Sequence, residues 1–288
     1  MPSLQSLRRK IGSIKNTQKI TKAMKMVAAA KLKRAQDRIL AARPYAKKMA
    51  VVLGSLARRA NRAHHPLLRK AATVARVELL VITSDRGLCG AFNANIVRKA
   101  VEFLREKQAE GYEVKLSLVG RKSRDFFRRR EWPRRQEWVG VFDRLSYEHG
   151  LDIGGDIVQQ FTQGTFDELY IVYNEFKSAI QQRVVVEKLL PLESLEPEET
   201  SLGGGYLFEP DEDELLKYLL PKHIEVQTFH ALLESSAAEL GARMAAMDGA
   251  TRNAGELIKR LTLYYNKTRQ TAITKELMDI VGGAEALR

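Results

Sequence analysis

Cysteine is nearly absent: Cys89 is the only one in 288 residues, so no disulfide can form within the chain. The five histidines, His64, His65, His149, His223 and His230, fall in no C-x-x-C or H-E-x-x-H spacing, which argues against a zinc site. The dipeptide Gly-Lys occurs nowhere, and without it a phosphate-gripping P-loop cannot be built. No run approaches the roughly 18 to 20 unbroken apolar residues of a bilayer-spanning helix. The opening "MPSLQSLRRKIGSIKN" also lacks the apolar core of a secretory signal. A soluble intracellular protein is expected, with an organelle transit peptide as the alternative that an Arg-rich, acid-poor start leaves open.

Acidic residues are scarce in the first quarter. Residues 1–70 hold nineteen Lys and Arg against one acid, Asp37, while the remainder holds twenty-nine against thirty-four. The net charge of +13 is therefore +18 in that quarter and −5 elsewhere. Such a segment either seeks a polyanion or forms a solvated face. The acids gather between Glu193 and Glu214, nine of them without one Lys or Arg, in a stretch that reads as a polar linker.

With 44% hydrophobic residues, the chain can bury one sizeable core or two modest ones. Its apolar residues follow two periods. Leu4, Leu7, Ile11 and Ile14 open a three-four spacing that resumes, after a polar and irregular middle, as Leu32, Ala35, Ile39, Ala42, Ala46, Met49, Leu53 and Leu56. This is a heptad seam on a long helix, with a kink expected at Pro44. No proline follows Pro221, and Val226, Phe229, Leu233, Ser236, Leu240, Met244, Met247, Thr251, Ala254, Ile258, Leu261, Tyr265, Thr268 and Ala272 keep the same spacing. Two successive fours around Leu240 form a stutter. Two long helices with narrow seams at opposite ends of a chain can satisfy one another by pairing antiparallel.

Between them the period changes. "VELLVIT", "YEVKLSLVG", "DELYIVYNEF" and "QQRVVVEKLL" read as strands, and residues 92–111 and 152–164 as helices. The expected fold is therefore α/β with long helices: an antiparallel coiled coil of the terminal helices plus a central Rossmann-like domain. The expected divisions are residues 1–70, an N-terminal long helix; 71–193, the α/β domain; 194–214, the acidic linker; and 215–288, a C-terminal long helix.

"TSDRGLCGAFNANI" follows the first strand and invites a nucleotide-binding reading. It offers only Gly87-Leu88-Cys89-Gly90, not G-x-G-x-x-G, and adds the negative charge of Asp85. The two glycines are expected to permit a tight strand-to-helix turn, with Asn93 or Ser84 available as a cap. A nucleotide-dependent enzyme is disfavoured for want of a phosphate loop. Nucleic-acid binding is disfavoured because Tyr45 is the only aromatic among the basic first 70 residues. No cofactor, metal or catalytic residue is expected.

Four separated stretches, "IKNTQKITKAMKMVAAAKLKRAQ", "SDRGLCGAFN", "YLFEPDEDELL" and "LTLYYNKTRQTAITKELMDIVGGAEAL", together resemble the gamma subunits of bacterial F-type ATP synthases from end to end. The resemblance implies a central rotary shaft, without a catalytic site of its own, inside a hexamer of alpha and beta subunits. Its foot would rest with epsilon on the membrane ring of c subunits, at the cytoplasmic face of the bacterial inner membrane, and nucleic acid would not be a partner. It assigns Arg269, Gln270 and Thr274 to contact with beta. Met24 either joins them or packs in the seam. Lys19, Lys22, Lys25 and Lys31 either form a basic track facing acidic beta loops or a solvated face. Tyr206, Phe208 and Glu209 match the foot, although family members commonly carry a tyrosine where this chain has Phe208. Asp248 and Gly249 replace a more helix-favouring pair, which implies a softer shaft there. The cysteine pair of chloroplast versions is missing, which excludes thiol switching within this subunit.

Overall fold

The computed structural model describes residues 3–59, 65–69, 71, 73–179, 181–192 and 211–285. Two compact units make up the chain: residues up to Ala28 together with those from Met244 onward, and Ala29 to Arg243. The long helices α1 (Leu4–Arg59) and α5 (Glu212–Glu285) each contribute to both. Pro44 lies within α1 and Pro221 within α5, and the helical assignment continues through each.

The larger unit is built on a five-stranded sheet of order β3-β2-β1-β4-β5, with β1 (Arg76–Ile82), β2 (Glu113–Val119), β3 (Arg134–Trp138), β4 (Glu168–Phe176) and β5 (Gln182–Leu190). The first four strands run parallel, and β5 pairs antiparallel with β4. A parallel sheet covered on both faces needs strands that are apolar on both sides, and β1 is buried at every position after Arg76. Val77, Leu79 and Val81 enter one core with Ile96, Phe103 and Leu104 of α2 (Phe92–Ala109). Leu80 and Ile82 enter the other, with Ile153 and Ile157 of α4 (Tyr147–Thr162), Leu53 and Leu56 of α1, and Leu220 and Ile224 of α5.

The four expected strands are all present. The short edge strand β3, "RRQEW", escapes a hydropathy reading because only Trp138 in it is apolar. The seven-residue helix α3 (Arg121–Phe127) is too short to show a period. Gly111 ends α2 at φ +91, as a C-terminal glycine should. The loop after β1 departs from expectation: positive φ occurs at Leu88 and Gly90, not Gly87, and neither Ser84 nor Asn93 caps α2. Instead Asn93 Oδ1 accepts from the Ser84 amide at 3.0 Å and ties the loop back to the helix.

α5 also differs from a uniform seam. Across His223 to Ala238 no residue is exposed, and Ile224, Ala231 and Leu232 share one core with residues of the sheet, α1 and α4. Gly150 and Gly154 of α4 let that helix approach α5 closely: a Cβ on either would lie 2.7 Å from Phe229 Cβ or Glu225 Cα.

Candidate functional site

Two places merit a functional reading: the crevice at the carboxyl end of the sheet, where α/β domains of this type bind ligands, and the paired helices of the smaller unit.

At the crevice, the Asp85 carboxylate gathers backbone amides. Its Oδ1 accepts from the amides of Arg121 at 3.0 Å and Gly140 at 2.9 Å, and its Oδ2 from Phe142 at 3.3 Å. The amides that follow β2 and β3 are thereby occupied by the chain's own carboxylate. Cys89 of the same loop is buried, and burial pushes its thiol above the ordinary range. Beneath, on the face toward α4, lies a charge cluster that periodicity could not show. Glu78 is fully buried, accepts from Ser117 Oγ, and receives Arg135 Nε at 2.8 and 2.9 Å on its two oxygens. The other end of the guanidinium stands 2.7 Å from Asp156 Oδ2, an ion pair held by charge and not by hydrogen-bond alignment. Burial raises the Glu78 carboxyl above its usual range, against the opposing pull of Arg135. The cluster joins β1, β2, β3 and α4, and Arg135 engages both oxygens of Glu78.

In the smaller unit, polar contacts fix the sense in which the helices pair. Lys25 Nζ lies 2.6 Å from Asp248 Oδ1, and Arg8 donates to Tyr265 Oη at 3.3 Å. Between these contacts α1 descends seventeen residues while α5 ascends seventeen, so the helices run antiparallel in unbroken register. Thr21 and Thr251 share a hydroxyl hydrogen bond of 2.8 Å at the intermediate step, and Gln18 Nε2 donates to the Thr251 carbonyl at 3.4 Å.

These bonds explain the irregular middle of the N-terminal seam. Gln18, Thr21 and Ala28 continue the spacing from Ile14 to Leu32, and Thr21 and Ala28 are buried. Polar residues at such positions fix register at some cost in stability. On α5 the predicted spacing is followed cleanly from Leu261 onward. From Leu261 to Ile280 only Leu261, Tyr265, Thr268 and Ala272 are even half-buried.

The residues singled out by resemblance separate into groups. Arg269, Gln270 and Thr274 are all exposed on α5, and the Thr274 hydroxyl donates to the Gln270 carbonyl at 3.0 Å. Met24 is half-buried between Thr21 and Ala28. Lys19, Lys22 and Lys31 are exposed and form no ion pair among the described residues, whereas Lys25 is committed to Asp248. Asp248 also meets Arg252 at 2.9 Å, and the hydrogen bond from Lys25 lowers its carboxyl below the ordinary range. Gly249 has open space around the position of a Cβ. Tyr206, Phe208 and Glu209 lie outside the described residues. Ile273, Leu277, Met278, Ile280 and Val281 present a largely exposed apolar surface toward the end of α5.

Among the described residues no cluster of His, Cys, Asp and Glu could hold a metal ion, and no helix is long and apolar enough to cross a membrane. A family model described as ATP synthase matches residues 3–287. ATP synthase gamma chains from Geobacter metallireducens and an Anaeromyxobacter species are 48% and 50% identical to this chain, each alignment covering all of both proteins. Among solved structures, the central stalk and c-ring structure of the Tetrahymena thermophila mitochondrial ATP synthase contains a chain 27% identical, with a TM-score of 0.60 over 80% of this chain and 99% of that one. A chain of the Euglena gracilis mitochondrial ATP synthase shares the fold at a TM-score of 0.66 and 21% identity, over 99% of this chain and 94% of that one. The chain belongs to the ATP synthase gamma-chain family and is a non-catalytic stalk subunit of a rotary ATP synthase.

Proposed function

We propose that the paired terminal helices turn within a hexamer of alpha and beta subunits and couple rotation of a proton-driven c ring to ATP synthesis or hydrolysis on beta. The observation that carries this reading is the unbroken antiparallel register from Lys25–Asp248 to Arg8–Tyr265. Two helices pinned at several levels resist sliding past one another, which a member that transmits torque requires.

A shaft biases its surroundings only by contacting different subunits differently. In this reading Arg269, Gln270 and Thr274 supply one directional contact with beta, and Met24 borders it. Lys19, Lys22 and Lys31 supply attraction to acidic beta loops. That they form no ion pair among the described residues suits that role, because screened, exposed charges attract without locking. Lys25 contributes less, since Asp248 already answers its charge. The segment 194–214, with Tyr206, Phe208 and Glu209, is assigned to the foot on the c ring beside epsilon. The complex would sit peripherally on the cytoplasmic face of the bacterial inner membrane.

The test is co-expression with alpha and beta subunits, comparing the native chain with Arg269→Ala plus Gln270→Ala. A complex of one copy per three alpha-beta pairs is expected, with turnover lowered about tenfold in the double variant and subunit composition unchanged. Failure of the native chain to co-purify would overturn the shaft reading; unchanged turnover would overturn the assignment of these two residues.

A further inference from the structure

A groove of about 750 Å³ runs between α2 and α3 on the α/β domain. Its floor is apolar, formed by Val97, Val101 and Phe126, and its rim carries Arg98 and Arg105 from α2 and Lys122 from α3. All three cations are exposed. Arg105 and Lys122 meet no carboxylate among the described residues, and Arg98 donates only to Asn95 Oδ1, at 3.0 Å. The one acid at the rim, Glu102, lies 3.0 Å from Lys99 on its own helix. An apolar floor thus lies between two cations of α2 and one of α3, none of them in an ion pair among the described residues.

We propose that this groove docks an amphipathic helix of a partner protein whose apolar stripe is flanked by Asp and Glu. Ala94, Val97, Val101 and Arg105 follow one another along α2 at helical spacing, so the groove is about 16 Å long. That length accommodates three turns of a helix laid alongside. Recognition would follow the helix-in-groove mode, in which apolar anchors at i, i+3, i+4 and i+7 supply affinity and charges on either side set orientation and partner choice. An anionic membrane fits less well, because the apolar groups are recessed between the cations. Nucleic acid fits less well because Phe126 is the only aromatic lining the groove. The inference stands on the α/β domain alone and does not depend on the shaft reading.

The test uses the full chain and a fluorescein-labelled designed helix of about 14 residues, with Leu at the anchor spacing and Glu on both flanks. A second peptide has Lys in place of every Glu. Fluorescence anisotropy should show the acidic peptide binding the native chain. Binding should weaken about tenfold with Arg105→Glu plus Lys122→Glu, and the Lys-flanked peptide should then bind that variant better than the native chain. Val101→Glu should weaken both peptides, and circular dichroism would verify that each variant is folded. Equal binding to native chain and charge variant, or no binding of the acidic peptide, overturns the proposal. So would loss of binding to phosphatidylglycerol vesicles or single-stranded oligothymidine in the charge variant while peptide binding is unchanged, which would assign the surface to lipid or nucleic acid instead.

Discussion

Replacing Arg135 by Ala should be among the most damaging single changes in the α/β domain. Glu78 is fully buried, and Arg135 holds both of its oxygens at 2.8 and 2.9 Å while also facing Asp156 at 2.7 Å. Without the guanidinium, Glu78 is left with the Ser117 hydroxyl and a second carboxylate nearby. Breaking one side of a buried ion pair costs about 3–5 kcal/mol, and truncating the side chain forfeits its packing as well. At about 2–4 °C per kcal/mol for a domain of this size, the melting temperature should fall by roughly 10 °C. The pH dependence separates this mechanism from simple loss of packing. Burial already raises the Glu78 carboxyl, and Arg135 opposes that rise, so the variant's carboxyl should titrate higher still. Protonation removes the buried charge, so the penalty should be greatest at pH 8 and shrink toward pH 5, as measured by denaturant melts of both proteins across that range. Arg135→Ala with Glu78→Gln should recover part of the loss. A variant that loses less than about 1 kcal/mol, or loses the same amount at every pH, would show that the cluster is solvated and that this account of it is wrong.

Other substitutions probe other joints. Asp85→Ala strands the amides of Arg121, Gly140 and Phe142 and should cost about 2–4 kcal/mol in urea unfolding; a neutral result would mean that water replaces the carboxylate. Gly120→Ala drives a Cβ into the Thr83 carbonyl oxygen at φ +93, so a loss of at least about 3 kcal/mol is expected, again read from the denaturation midpoint. Burial lowers the His223 imidazole to about 4, below the ordinary 6.5. The folded state therefore holds it neutral while the unfolded chain protonates it, and the stability it contributes is present above pH 6.5 and lost as pH falls toward 4. His223→Leu should flatten that acid-side loss by roughly 2–4 kcal/mol, and melts of the two proteins with parallel pH profiles would contradict it.

The sequence by itself determined what depends on period and run length. The apolar heptads made two long helices of the termini, and on α5 the same spacing marked the half-buried residues Leu261, Tyr265, Thr268 and Ala272. The apolar runs made β1, β2, β4 and β5, and the missing phosphate-loop residues argued against a nucleotide site. Each of these is a local property, set by which side chains share one face of one element. Tertiary structure decided whatever turns on a partner distant in the chain. Gln18 and Thr21 interrupt the hydropathy of the seam yet belong to it, because Thr251 is opposite them. Lys25 falls on the seam spacing that Lys19 and Lys22 miss, but only the fold shows that Asp248 answers its charge. Asp85 looks like an unwanted charge until three amides from two other loops converge on it. The edge strand "RRQEW" carries no apolar alternation because its Arg135 is matched to Glu78, 57 residues earlier. A polar side chain has no fixed preference for burial; its energy depends on which group meets it, and only the folded chain supplies that group.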